Sequence, residues 1–536
     1  MPDEFLRKFV KLKGILYWSR DNVFSVALVF AFCFSLFNGA WESDAVAKRK
    51  RQARSAQKRF RKKTVKLPPR NLFSNKNLSP LQNLKVAIQE TLSGRWLAGG
   101  ETAVVVSNAK TGNEILSFNP NLPLNPASNV KLVSTATALD GLDPSWRYKT
   151  SFYGDVPNKE GQLTGGVYLK GDWDPLFGMN NLKKMTVSLK ERGVRHISGD
   201  LWMSGDTHRD LINTLLRVEL RTPRSKKNAA RLALSPPLDF VELMSNLTYK
   251  KRGRSKTNLV SSWTMNNGVR KLRLTIQGKA KRGRRYKYRK GFKDDPMVSA
   301  MMIKESLQKA GITLDGDVVF GTFEDYVNAS EALPVQLATH SSKPVKELVA
   351  LINKWSINWL ADALIKTAAR QKLGGEPSMK AAIALMQEWL NGIGVSKNKL
   401  LIDTGSGLSY NTKMTARQLV RVLRNAGGYK IDTEGEDHEI FMDSLAVGGV
   451  DGTLKKRFRT SSEEPFVFGK TGTLTKIIAL SGVLKHEDGQ DLIFSIVTNG
   501  TVHRHRNEVR KDHEYMVKMI RLFQTETQPN KELAME

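Results

Sequence analysis

Ser128-Asn129-Val130-Lys131 sets a hydroxyl and an amine three residues apart, at the head of a segment with helical spacing, LVSTATALDGL. On a helix, residues i and i+3 share a face, so the Lys131 amine can reach the Ser128 hydroxyl. A serine hydroxyl is a weak nucleophile and needs an adjacent base. A free lysine, with pKa near 10.4, can be that base only if its pKa falls by roughly three units, at a cost of about 4 kcal/mol. Burial and a second cation are the available means. Ser-x-x-Lys occurs five times, starting at Ser55, Ser107, Ser128, Ser306 and Ser396. Any single copy reads more readily as a capping serine beside a surface lysine; only the one at Ser128 opens a helix amid small, apolar residues.

Lys470-Thr471-Gly472-Thr473 supplies the second cation. It follows one strand-like run (PFVFG) and precedes another (IIALSGVL). Gly472 lets a ligand approach the strand edge, and the hydroxyls of Thr471 and Thr473 suit a carboxylate. Lys-Thr-Gly also occurs at Lys110, but there it occupies a hairpin turn. Between the two groups lies Ser356-Ile357-Asn358, inside the helical stretch Pro344–Ala369. Trp355, Ile357 and Trp359 read as buried neighbours, and a polar group among them needs a reason. In chain order, Ser-x-x-Lys, Ser-x-Asn and Lys-Thr-Gly form the signature of penicillin-binding proteins and serine β-lactamases.

From about residue 80 to the end the chain resembles the class C low-molecular-mass penicillin-binding proteins, the D-alanyl-D-alanine carboxypeptidase/endopeptidase family. That family inserts domains between its first and second motifs, and 228 residues separate Ser128 from Ser356 here. Similar segments are Gly171–Leu176 (GDWDPL), Asp403–Ser409 (DTGSGLS), Gly449–Leu454 (GVDGTL) and Leu480-Ser481-Gly482. The resemblance implies an exported serine DD-peptidase that needs no cofactor or metal, acts on peptidoglycan stem peptides and is inhibited by β-lactam antibiotics. It implies that Ser128 attacks the penultimate D-Ala carbonyl, that Lys131 takes its proton, and that Ser356 passes a proton to the leaving amine. Asn358 would hold the substrate amide; Lys470, Thr471 and Thr473, with Gly472 between them, would bind the terminal carboxylate. The N–H groups of Ser128 and Thr473 would form the oxyanion hole. By the same analogy Asp174 reads the cationic end of the stem peptide. A β-lactamase or esterase on the same scaffold, and a catalytically weak envelope-binding protein, are the alternatives.

The elements that must position these residues are α+β. Thr102–Ser107 and Glu114–Phe118 read as a hairpin, and Pro465–Lys470, Ile477–Lys485 and Asp491–Thr498 as three further strands before a last helix, Glu508–Phe523. Together they predict a transpeptidase-like domain, an antiparallel five-stranded sheet between helices, built from residues 71–150 and 336–536. Residues 151–335 are predicted to form inserted β-rich domains interrupted by one helix, Pro296–Gly311.

Composition sets the outer limits. With 40% hydrophobic residues the chain has ample material for cores. The single cysteine, Cys33, excludes a disulfide framework, a cysteine zinc site and an iron–sulfur cluster. His503, His505 and the Glu436–Glu439 cluster lack metal-ligand spacing, and Gly405-Ser406-Gly407 lacks the flanks of a nucleophile elbow. Basic residues before the fifteen-residue apolar run Val23–Phe37 predict a signal peptide or amino-terminal anchor over 1–47, hence a periplasmic or outer-face location. A basic linker follows over 48–70. The net charge of +33 is concentrated there and in residues 250–293, which hold 17 Lys/Arg and no acid. In an exported chain these stretches read either as solvated, charge-rich surface or as contacts to an anionic envelope polymer or lipid, and not as a nucleic-acid site. At Arg284–Arg289 aromatics alternate with cations, which in an exported chain suits contact with an anionic wall polymer, lipid or lipopolysaccharide.

Overall fold

The computed structural model describes residues 77–204, 213–225, 229–250, 253–292, 294–429, 436–459, 466–501 and 505–527. The predicted signal or anchor over 1–47, with Cys33, the basic linker over 48–70, and His503 lie outside these residues. Helix α1 (Pro80–Ser93) opens the described chain, started by a capping box in which Ser79 and Gln82 bond reciprocally. A hairpin of β1 (Glu101–Asn108) and β2 (Glu114–Phe118) follows, then a 3₁₀ turn (Ala127–Asn129) running into α2 (Val130–Gly141).

After the insert come α3 (Val345–Trp355), α4 (Asn358–Leu373), α5 (Met379–Gly392), α6 (Ala416–Ala426) and α7 (Glu436–Ser444). The chain then forms β3 (Ala446–Val447), β4 (Val467–Leu474), β5 (Ile477–Leu484), β6 (Leu492–Asn499) and α8 (Arg506–Glu526). These strands make one antiparallel sheet in the order β3-β4-β5-β6-β1-β2. The five predicted strands are all present; the two-residue β3 adds a sixth at the edge, too short to leave a sequence pattern.

Successive side chains of a strand point to opposite faces, and both faces of this sheet are covered. Val105, Ala479, Ile493 and Val497 pack with α2–α7, while Val104, Leu480, Phe494 and Ile496 pack with α1 and α8. That double cover explains why the central strands read as unbroken apolar runs. Helix α2 lies deepest: every residue from Val130 to Leu139 is buried, Lys131 among them. A helix apolar on all sides belongs inside a bundle, and this one carries its lysine in with it.

The inserted region has its own apolar cluster, drawn from residues between Phe152 and Ala338. It holds a five-stranded mixed sheet, two three-stranded sheets and a small parallel one. The predicted helix is there as Pro296–Ala310, closed by Gly311 in the left-handed conformation. Two more, Met179–Glu191 and Phe323–Ala329, correct the expectation of a single helix. The first has only five buried positions among six charged or amide residues, a pattern too polar to stand out.

Ile493 and Phe494 are adjacent on β6, fully buried, and belong to different clusters. Ile493→Ala and Phe494→Ala are each expected to destabilise the protein by about 2–5 kcal/mol in denaturant unfolding. A loss for only one of them would contradict a sheet covered on both faces.

Candidate active site

Ser128 sits in the 3₁₀ turn, two residues before α2 begins. The turn is strained: Ala127 has φ of 48°, a conformation costly for a residue with a Cβ. Hydrogen bonds and close packing hold it. Asn125 Oδ1 accepts from the Ala127 N–H at 2.8 Å, and Asn125 Nδ2 donates to the Ser409 carbonyl at 2.8 Å. Asn129 Nδ2 donates to Ser481 Oγ at 2.7 Å, inside the sheet. Two glycines lie close against the turn. A Cβ on Gly472 would stand 2.5 Å from the Pro126 carbonyl oxygen, and one on Gly407 would stand 2.0 Å from that of Ala127.

Lys131 reaches back as its spacing predicts. Its Nζ lies 3.1 Å from Ser128 Oγ, 2.6 Å from Asn358 Oδ1 and 2.5 Å from the Ser406 carbonyl oxygen. The side chain is fully buried, and burial pulls its pKa down to about 7, against the opposing pull of the Asp362 carboxylate. Asp362 accepts the Ser406 N–H at 2.8 Å, so it also fixes the carbonyl that faces Lys131. Burial raises the Asp362 pKa in turn. The sequence contains a signal for Asp362: it lies one helical turn after Asn358, on the same face of α4. The DTGSGLS segment acquires a role in the same way, as the loop that presents Ser406.

The Ser356 region corrects two expectations. The predicted single helix over Pro344–Ala369 is broken at Ser356-Ile357, between α3 and α4, with Ser356 left-handed at φ 57°. Trp355 and Trp359, expected to be buried, are 55% and 48% exposed. The break explains both: it turns the flanking rings outward and makes Asn358 the first residue of α4, aimed at Lys131. The Ser356 hydroxyl is partly buried and makes no hydrogen bond to another described residue. Lys354 on the preceding turn binds Asp451 at 2.8 Å, tying this corner to the GVDGTL segment.

Lys470, Thr471, Gly472 and Thr473 lie within β4, where the sequence places them between two strands. Lys470 is completely buried; its Nζ donates to the Thr471 carbonyl at 3.2 Å, and burial together with the charge of Lys131 drives its pKa well down. Thr471 bonds Thr453 at 2.9 Å, and Arg510 of α8 donates to Thr473 Oγ1 at 3.2 Å. Arg510 is a residue that no local motif marks. Strand β3 pairs with Phe468 and Gly469, so among the described residues β4 has no strand partner on that side from Lys470 onward.

Asp174 is not brought to this cluster. Its side chain is buried in the insert, with Oδ1 accepting the Leu176 N–H at 2.8 Å and Oδ2 lying 3.7 Å from His340 Nε2. It is Asp172, two residues earlier, that touches the catalytic-type domain, through Arg370 of α4 at 3.2 Å. Among the described residues, no group of three or more His, Cys, Asp or Glu is placed to hold a metal ion.

The serine, its buried lysine, the asparagine and the Lys-Thr-Gly strand thus meet at one point. A profile of the D-Ala-D-Ala carboxypeptidase 3 (S13) family matches residues 84–210 and 218–521. The chain belongs to that family. It is a class C low-molecular-mass penicillin-binding protein and a serine-type carboxypeptidase. It is 27% identical over 456 residues to a D-alanyl-D-alanine carboxypeptidase of Actinomadura sp. (strain R39), covering 78% of this chain and 81% of the relative. It is 22% identical over 435 residues to the D-alanyl-D-alanine carboxypeptidase DacB of Haemophilus influenzae, covering 75% and 86%. The crystal structure of penicillin-binding protein 4 (dacB) from that organism, in complex with a β-lactam, superposes with a TM-score of 0.64 at 19% identity, over 83% of this chain and all of the other. The S13 fold therefore extends across the insert as well as the sheet.

In this S13 protein Gly472→Ala would push β4 away from the Ser128 turn by the width of a methyl group. Because misplacement by about 1 Å costs roughly a hundredfold in rate, acylation by a fluorescent penicillin is expected to slow by about that factor. An unchanged acylation rate would show that the turn and the strand need no such contact.

Proposed function

We propose that Ser128 hydrolyses the D-Ala-D-Ala bond of peptidoglycan stem peptides through an acyl-enzyme, with Lys131 as its base. The observation that carries this is the arrangement around Lys131 Nζ. A neutral amine has two hydrogens and one lone pair. Two carbonyl oxygens, of Asn358 and Ser406, stand ready for the hydrogens, and the lone pair is left for the Ser128 hydroxyl. With its pKa near 7, the amine is substantially neutral at physiological pH and still basic enough to take a proton.

Ser128 Oγ attacks the penultimate D-Ala carbonyl as its proton moves to Lys131 Nζ. The N–H groups of Ser128 and Thr473 receive the oxyanion, a contribution worth a few kcal/mol. Ser356, held in its left-handed turn, relays the proton to the leaving amine, and C–N cleavage frees the terminal D-Ala. Water then attacks the ester, Lys131 taking its proton, and restores Ser128. The substrate lies along the partnerless edge of β4, as an extended peptide adds to a sheet. The Thr471 and Thr473 hydroxyls bind the terminal carboxylate, with Arg510 behind Thr473. Lys470 is enclosed behind the strand, where burial and the neighbouring Lys131 both favour its neutral amine. Asn358 places the Lys131 amine and offers its amide N–H₂ to the substrate. The same route cleaves a D-Ala–diamino acid cross-link when the leaving amine belongs to a neighbouring stem, and a β-lactam is trapped as the stable acyl-enzyme. Asp174 joins substrate recognition only if the insert shifts to uncover it. Such a substrate requires export, to the periplasm or the outer face of the membrane; among the described residues no helix is long and apolar enough to cross a membrane.

Covalent labelling by a fluorescent penicillin, abolished in Ser128→Ala, is the expected result; an intact protein that takes no label sinks the proposal. Because the active base is deprotonated Lys131, kcat/KM for D-Ala release should rise with pH through a midpoint near 7. Asp362 favours the protonated form, so Asp362→Asn should move that limb to lower pH. A limb that stays in place would remove Lys131 as its source.

A further inference from the structure

Strands Arg285–Lys290, Leu216–Arg221 and Arg231–Ser235 of the insert form a three-stranded antiparallel sheet with Leu216–Arg221 in the middle. Tyr286 and Tyr288, which alternate with the cations in sequence, turn the other way. Both are partly buried, Tyr288 donating to Thr257 at 2.8 Å and Tyr286 sharing a 2.7 Å bond with Ser255. The two-residue alternation therefore sorts the segment cleanly, rings inward and cations outward.

The outer face carries Arg285, Lys287, Arg289, Arg217, Arg221 and Arg231, all exposed. In register, Arg285 stands opposite Arg221, Arg221 opposite Arg231, and Arg289 opposite Arg217. Like charges directly across a sheet destabilise it. The one acid on the face, Glu219, is bound by Arg221 at 2.8 Å and by Arg285. Among the described residues, Arg217, Arg231, Lys287 and Arg289 form no ion pair. The sheet holds these charges in a fixed grid, about 6.7 Å apart along a strand and about 4.8 Å between strands, and leaves most of them unneutralised.

We propose that this face binds a linear phosphodiester polyanion of the polyol-phosphate type. Five of the six cations are arginines, whose planar fork matches the paired oxygens of a phosphodiester better than a lysine does. A bilayer is disfavoured because the face presents no large apolar side chain to enter the acyl boundary. Single-stranded nucleic acid is disfavoured because the two rings that could stack on bases face inward. The face stands apart from the peptidase chemistry, and its binding is read without turnover, so either can fail alone.

The test measures binding of the full chain to purified poly(glycerol phosphate) across a salt series. Removing three phosphate contacts in Arg285→Gln/Lys287→Gln/Arg289→Gln should lower the slope of log K against log salt by about 2, with penicillin labelling unchanged and the thermal midpoint no lower. Lys183→Gln/Lys184→Gln/Lys190→Gln removes the same charge from exposed positions on Met179–Glu191 and should leave the slope as it was. The basic linker is common to both variants and cancels. Equal slopes for the wild type and the first triple overturn the proposal, as does an equal loss in both triples, which would reduce the effect to net charge. Tighter binding, lost in the first triple, to polyglutamate, to single-stranded DNA or to phosphatidylglycerol vesicles would overturn the assignment of the partner.

Discussion

The site depends on an ammonium group carried into a place where it is hard to keep charged. Lys131 is enclosed on α2, and its three contacts are uncharged oxygens. No carboxylate touches it; Asp362 acts on it across the Ser406 peptide. Water would solvate the cation better, and the protein interior withdraws that solvation. Burial is thus the device that turns a surface-type base into one poised near neutrality. Moving the Asp362 carboxylate into direct contact would undo it, by stabilising the charged form.

Much of the architecture exists to keep that lysine enclosed and its serine within reach. Helix α2 is surrounded by α3–α7 on one side and the sheet on the other. The strained Ala127 backbone aims Ser128, and Gly407 and Gly472 admit two backbone segments closer than any side chain would allow. Lys470 enters from the sheet side and is as deeply buried as Lys131. The charge of Lys131 adds to burial in making the Lys470 proton harder to hold.

The parts of this site that were legible in the sequence are those set by short range. The helix start at Ser128 showed through proline, small residues and helical periodicity, and the buried strands through their apolar runs. The break at Ser356-Ile357 did not show, because its left-handed residue is a serine and the apolar spacing continues across it. The same continuity made Trp355 and Trp359 read as core. Arg510, Thr453 and the Ser406 carbonyl come together only in the tertiary structure, and Asp362 was visible only as a helical neighbour of Asn358. In the insert, the alternation of Arg285–Lys290 was legible as a sequence, but which face was covered depended on a second sheet that local pattern does not specify.

Direct titration of Lys131 tests the central claim. With lysine Cε labelled by carbon-13, and the Lys131 resonance assigned by its loss in Lys131→Met, its chemical shift should titrate with a midpoint near 7. A midpoint near 10.4, the value of a solvated lysine, would contradict the account.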